Sequence, residues 1–444
     1  VIIPNESQGV DAETSGATRE GSDVIHASDA MPTIIAVGVI LAAALLVKAW
    51  CERLRVPPVA GYLLLGIAGG TLDTRFGAIG DGGMGIIGLL GQFGVIVLLF
   101  SVGMHSKLRS LVSQLSRAGP IWILNMLMAG LAGYAAVRYL LGMDVLASVV
   151  AGVALTATSV GVASNEWERH GLVETEEGQL FVDVAELDDI SGILLMALLL
   201  ATLPALMHGG SMGEAAAGDA QQTRLALAAI PWSDIAMTLA TMLGKLLLLA
   251  GACALLARFG IGPLVRGVER LESGADAVIS IAAVAAIIAG VAGLLGFSVA
   301  IGAFFAGLAF SGQRDTISAE GSLETLRDVS VPFFFVSVGL QVDPNAVVDV
   351  AWSATVIFVA AVIGKFIGAA GPAWPLLGPS GATLLGLSMI PRAEISLIVL
   401  SQGLAMGSGV VPQRLFDATV VAATATCVVA PLGMAAVMQR RFAD

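Results

Sequence analysis

The feature that most limits the fold of this chain is an apolar, helix-forming stretch that recurs from Ile34 to Val437. A helix needs about 20 residues to cross the hydrocarbon of a bilayer, and with that window the sequence offers about thirteen spans. They centre near residues 41, 64, 94, 130, 154, 191, 245, 285, 304, 334, 359, 390 and 424. Only 13% of the 444 residues are charged, against about 25% in soluble domains. The expectation is an all-α integral membrane protein whose first partner is the lipid bilayer. The 54 glycines suit helices that pack closely inside it. The net charge of -12 argues against a nucleic-acid partner, which wants basic patches.

Thirteen spans place the two termini on opposite sides, and the distribution of cations says which is which. With the N-terminus outside, 14 of the 22 lysines and arginines fall on the cytoplasmic side and 5 outside. Lys245, Lys365 and Arg392 remain inside the membrane. The span count also divides the chain. Residues 1–32 form a polar, acidic segment expected to be disordered. Residues 33–207 carry helices one to six, and residues 208–275 an extracellular loop and a linker helix. Residues 276–437 carry helices eight to thirteen, and residues 438–444 a short cytoplasmic tail. Two six-helix halves joined by one linker span must be inverted relative to each other, a recurrent transporter design with the site at the midplane, where broken helices meet.

Acids in the sixth span then need a reason. In "VAELDDISGILLMALLLA", Asp188 lies about 16 Å along a helix that starts near Glu177, at the depth of the midplane. An intramembrane carboxylate costs at least about 2.5 kcal/mol and marks an ion pathway by default. Asp188 and Asp189 are either a buried structural pair or a site for a monovalent cation, a proton, or both. Lys365 lies mid-span in "VIFVAAVIGKFIGAAG" and needs a partner, for which the two aspartates are the best candidates. Lys245 is a rival, although its place in the linker span favours a structural or snorkelling role.

Helix breakers point to the same region. "LTATSVGVAS" puts Thr156, Thr158 and Ser159 mid-span, and "LSMIPRAEISLIV" does the same with Pro391, Arg392 and Glu394. Proline removes a backbone donor and frees a carbonyl. Freed carbonyls and hydroxyls are the oxygens a hard cation takes. Thr158 and Ser159 are therefore candidate ligands, or bond the backbone only. Arg392 and Glu394 are expected to neutralise half-helix ends and each other. Asp183, Glu186 and Asp189 follow at i, i+3, i+6 and read either as a cytoplasmic acidic funnel or as interfacial packing.

Enzyme chemistry finds no support: there is no nucleophile–base pair, HExxH or P-loop. "GDGGMGIIG" has no strand before it, so it is not a nucleotide loop. Cys51, Cys253 and Cys427 are far apart and form neither a disulfide framework nor a zinc site. No cofactor is expected.

Taken together, "VAGYLLLGIAGG" (59–70), "FGVIVLLFSVGM" (93–104), "TATSVGV" (156–162), "ELDDISGI" (186–193), "AIGAFFAGLAFSG" (300–312), "VPFFFVSVGLQVD" (331–343), "GKFIG" (364–368) and "MIPRAEISLIV" (389–399) resemble, in family order, the monovalent cation:proton antiporters of the second branch of that superfamily. This branch includes bacterial sodium/proton antiporters and glutathione-gated potassium efflux systems. The resemblance implies a core of spans four to six and eleven to thirteen that moves elevator-fashion against a homodimer-forming panel. It implies that Asp189 binds the ion and that Asp188 pairs with Lys365. Paired aspartates with a lysine mark the electrogenic sodium members, so the implied exchange is Na+ or Li+ for H+ in a bacterial inner membrane. Potassium exchange or efflux is the alternative within the family; a cation channel or a non-transporting ion sensor is the alternative outside it. A regulatory partner is left open. Ala393 stands where the family often has Gly, and Glu186 is an added acid.

Overall fold

The computed structural model describes residues 27–442, apart from Arg55, Ala78, Lys107 and the stretches 209–231, 264–273 and 312–319. Among the described residues every regular element is helical. The helices are α1 (Ala27–Leu54), α2 (Pro58–Phe76), α3 (Gly80–His105), α4 (Leu108–Ala135), α5 (Val145–Ala154), α6 (Val160–Arg169) and α7 (Glu176–His208). They continue as α8 (Trp232–Leu256), α9 (Gly274–Leu294), α10 (Val299–Phe310), α11 (Glu320–Leu340), α12 (Ala351–Ser388), α13 (Glu394–Ala405) and α14 (Gln413–Phe442). Six helices are long and apolar enough to cross a membrane, and four more are apolar but shorter.

Two expected boundaries move. Helix α1 is described from Ala27, inside the segment expected to be disordered. The rest of that segment, up to residue 26, lies outside the described residues, as does most of the expected extracellular loop. At the other end α14 runs to Phe442, so the short tail extends the last helix.

Helix α12 is one run of 38 residues with a break inside it. Gly378 takes φ 67°, a conformation glycine adopts without a Cβ penalty. Pro379 then opens the second half, where its missing N–H costs nothing.

The helices pack as two bodies. Helices α4 to α7 gather with α12, α13 and α14; helices α1 to α3 gather with α10 and α11, and α9 packs on α10. Helix α8 touches α7 and α10. Glycines set the closest approaches. A Cβ on Gly364 would stand 2.9 Å from the Ala129 Cα, and one on Gly368 would stand 2.7 Å from the Asn125 Cα. The seam between α4 and α12 is therefore locked through the turn that carries Lys365. On the other side Gly103 and Gly307 face the carbonyls of Phe304 and Phe100, which brings α3 and α10 into backbone contact.

A candidate ion site where two broken helices cross

The sequence breaks two helices, and the breaks meet. The chain between α5 and α6 is non-helical at 157–159, and between α12 and α13 at 390–393. The Ser159 N–H donates to the Pro391 carbonyl at 2.8 Å. The Thr158 hydroxyl donates to the Met389 carbonyl at 3.2 Å, and Ser396 Oγ donates to the Ala154 carbonyl at 2.6 Å. Backbone groups that a helix would have satisfied are thus satisfied across the crossing, as a buried chain requires.

The same crossing assembles four helix ends: the C-termini of α5 and α12, and the N-termini of α6 and α13. Helix C-termini carry partial negative charge and N-termini partial positive charge. Arg392, only 1% exposed, donates Nη1 to the Ala157 carbonyl just past the end of α5. Glu394 sits in the first turn of α13, beside the Ser159 hydroxyl at the start of α6. Each charge answers the end it faces. The expectation that Arg392 and Glu394 also neutralise each other fails: no ion pair joins them, because Arg392 turns toward α5 and α14. Its backbone N–H donates to Thr426 Oγ1 at 3.0 Å and its carbonyl accepts from Cys427 Sγ at 3.1 Å.

Beside the crossing lies a buried ion pair. Lys365 Nζ donates to Asp188 Oδ1 at 3.0 Å and to Oδ2 at 2.8 Å. Both side chains are fully buried. Asn125 Nδ2, from α4, donates to Asp188 Oδ1 at 3.1 Å. Ser191 Oγ donates to the Asp188 carbonyl at 3.0 Å and accepts from Trp122 Nε1 at 2.9 Å.

Asp189 faces the other way. Adjacent helical residues point about 100° apart, so Asp189 leaves the pair and lines a cavity of about 430 Å³. Thr158, Glu186, Glu394, Arg327 and His105 also line it. Among the described residues the Asp189 carboxylate has no hydrogen-bond partner, and its oxygens face the cavity. Ser159 does not line the cavity; it is fully buried, with its hydroxyl at Glu394. Asp183 does not line the cavity. It lies 120° around the helix from Asp189, near Arg117. Lys245 on α8 is half-buried, away from the pair.

A second cavity, of about 310 Å³, lies further along the same seam between α3, α11 and α13. Gln92, Ser337, Gln341, Ser401 and Gln402 give it a neutral polar lining. Val95 and Ile398 line this cavity, while Leu98 and Ile395 line the one at Asp189. On each helix three residues, or about 4.5 Å of rise, separate the two.

Asn125 was not singled out by the sequence reading, although it is a lone carboxamide in the apolar run "IWILNMLMAG". Such residues bond between helices in membranes, and that signal would have found it. Asp417, also buried, accepts from Gln413 Nε2 at 2.8 Å and was missed in the same way.

The transmembrane sodium/hydrogen exchanger family matches residues 40–440. The high-affinity Na+/H+ antiporter NhaS3 of Synechocystis is 25% identical over 88% of this chain and 86% of its own length. The Na+/H+-K+ antiporter GerN of Bacillus cereus is 24% identical over 85% of this chain and 89% of its own. In fold, the chain resembles the sodium proton antiporter MjNhaP1 of Methanocaldococcus jannaschii, with a TM-score of 0.60 at 15% identity over 93% of this chain and 98% of that one. The chain belongs to the transmembrane sodium/hydrogen exchanger family and is a cation/proton antiporter.

Proposed function

We infer that this antiporter exchanges Na+ or Li+ for H+ across a bacterial inner membrane, electrogenically, with Asp189 as the ion-binding carboxylate. The observation that carries the reading is the division of labour between neighbours: Asp188 is committed to Lys365 while Asp189 faces a cavity with no hydrogen bond. Thr158, Ser159 and Glu394 stand beside Asp189 and supply further oxygens. Glu186 extends the acidic wall of the cavity. The metal involved is cargo, held by Asp189 with Asp188 behind it, and no resident cofactor is called for.

Exchange follows from competition. A carboxylate binds a cation only when deprotonated, so ion entry expels protons. When Na+ is bound, Asp189 is charged and balanced, and Lys365 is released from Asp188. When protons return, the Asp188–Lys365 pair re-forms. Either loaded state is close to neutral and crosses the apolar barrier; the empty site carries uncompensated charge and does not, because buried charge is costly. That penalty couples the two fluxes. Asp189 gives up one proton per Na+; a second, given up by Lys365 once it has left Asp188, makes the cycle electrogenic.

The single apolar turn between the two cavities supports alternating access by a short movement of the α4–α7 and α12–α14 body along α3 and α11, in elevator fashion. Counting each broken pair (α5 with α6, and the second half of α12 with α13) as one crossing gives thirteen crossings. It also gives the inverted halves 33–207 and 276–437 around the linker α8. The cation distribution supports an outside N-terminus and a cytoplasmic C-terminus, and the exposed apolar face of α1 (Ile35, Leu46 and Trp50 among others) suits a homodimer contact or lipid.

Proteoliposomes test the function. A pH gradient is imposed, Na+, Li+ or K+ is added, and internal pH is followed with a dye. Collapse by Na+ in wild type and its loss in Asp189→Asn is the expected result. Collapse by K+ alone would reverse the ion assignment, and cation flux without proton movement would indicate a channel.

A further inference from the structure

The two ends of the Asn125 side chain are used unequally. Nδ2 donates to Asp188 Oδ1 at 3.1 Å, whereas Oδ1, fully buried, accepts nothing. Lys365 Nζ reaches the same Asp188 Oδ1 at 3.0 Å, so carboxamide and ammonium converge on one atom. An ammonium has three donors, and Asp188 takes two of those on Lys365.

Exchange as inferred above requires Lys365 to leave Asp188 and come back. Around Lys365, helix α12 is seated against α4 at backbone contact. Gly364 and Gly368 already touch Ala129 and Asn125 so closely that not even a Cβ fits. With the two backbones so seated, a side-chain torsion is the shortest way for the ammonium to leave, and it needs an acceptor within that reach. Among the described residues the other buried oxygens that could accept are Ser159 Oγ, which sits at Glu394, and Asp417 Oδ2, next to Gln413 at the start of α14. The unpartnered Arg392 nitrogens are donors and repel a cation. Charged groups facing the ammonium are Asp188 and Asp189 from α7 and Arg392 from the break before α13. Asn125 faces it from α4 without charge.

We propose that Asn125 is a positioning residue that receives Lys365 when Asp188 releases it, the ammonium passing from the Asp188 carboxylate to Asn125 Oδ1 as the cation binds. The proposal rests on the antiport reading, which has Lys365 leave Asp188 in each cycle. A neutral acceptor holds the lysine out of the ion's way without competing with the aspartates for its charge, and hands it back when protons return.

The test compares the Na+ dependence of exchange in Asn125→Leu, which removes both polar ends, and Asn125→Gln, which keeps a neutral acceptor oxygen. Asn125→Leu is expected to raise the Na+ KM about tenfold, because the released lysine then donates to nothing. Its maximal rate should stay within about threefold, since Asp189 is untouched. Asn125→Gln should keep KM within about threefold of wild type. An unchanged KM in Asn125→Leu overturns the proposal, and so does an equal rise in both variants, which a purely structural role would give. If Asn125→Leu does not purify, Asn125→Ala takes its place. A wild type that binds Na+ without exchanging it sinks the proposed function. In that case the Na+ concentration giving half-maximal thermal stabilisation judges Asn125, with the same tenfold rise expected for Asn125→Leu. A wild type that does neither overturns both.

Discussion

Ser159 donates its backbone N–H to the Pro391 carbonyl, joining the break in one helix to the break in the other at 2.8 Å. Thr158, Ser396 and Arg392 add hydrogen bonds across the same gap. The crossing behaves as one fastened unit, and its weakest point should be a carbonyl that a single hydroxyl satisfies. Ser396→Ala removes the donor to the Ala154 carbonyl and should cost about 1–3 kcal/mol of stability, the desolvation penalty of a buried orphan. Thr383→Ala breaks a bond of the same type to the Pro379 carbonyl, but at an exposed position. It should stay within about 0.5 kcal/mol. Chemical unfolding in mild detergent compares the two.

The glycine seam gives a second contrast. Gly368→Ala puts a methyl against the Asn125 backbone and should destabilise by about 1–3 kcal/mol, as overpacking does. It should also slow exchange, because it shifts Lys365 away from Asp188. Gly371→Ala, one turn further along α12, meets nothing within 4 Å. It should be neutral or slightly stabilising, through the helix preference of alanine over glycine. Unfolding midpoints and transport rates measured together check both.

Lys365→Met leaves the Asp188 carboxylate buried without its counter-charge. Breaking a buried pair in this way costs about 3–5 kcal/mol. The double substitution Asp188→Leu with Lys365→Met removes both charges and should recover much of that loss, while transport stays abolished. A double-mutant cycle on unfolding free energy reads the coupling.

The apolar turn between the two cavities should be what keeps exchange from becoming leak. Leu98→Ser places a hydroxyl at the point where the Asp189 cavity comes nearest the second cavity. Uncoupled cation current in planar bilayers should rise above wild type, while Na+-driven proton movement falls. Unchanged coupling would place the barrier elsewhere.

Competition fixes the sign of the pH dependence. Protons and Na+ share the carboxylate, so the Na+ KM should fall as pH rises. On the acid side it should change by up to about tenfold per pH unit for one displaced proton. A KM that is flat with pH would remove Asp189 from the ion's binding set.

The helical class and the two interruptions were legible because they rest on local chemistry: apolar runs of membrane-spanning length, a proline, and clustered hydroxyls. That Lys365 would meet one of the two aspartates was legible for a different reason, and only the family resemblance favoured Asp188. Buried charges are few in this chain, and each needs a partner. What a strand of letters does not carry is rotation about the helix axis and the path of neighbouring side chains. Asp183 shares a rough face with Glu186 and Asp189, yet 120° of accumulated rotation turns it away from the cavity. Arg392 and Glu394 are two residues apart, yet opposite helix ends claim them. Asn125 went unnoticed because one carboxamide in an apolar run announces no partner until α7 and α12 are folded against it.

The Lys365–Asp188 contact also has a timetable. Its two residues are 177 positions apart, so a ribosome adding about 5–20 residues per second makes the acid roughly 10–35 s before the base. For that interval α7 waits in the bilayer with Asp188 unmatched, and α4 offers it only the carboxamide of Asn125. The nascent chain is therefore most exposed to proteolytic surveillance between the synthesis of α7 and that of α12, and the transport site is among the last parts of the molecule to close.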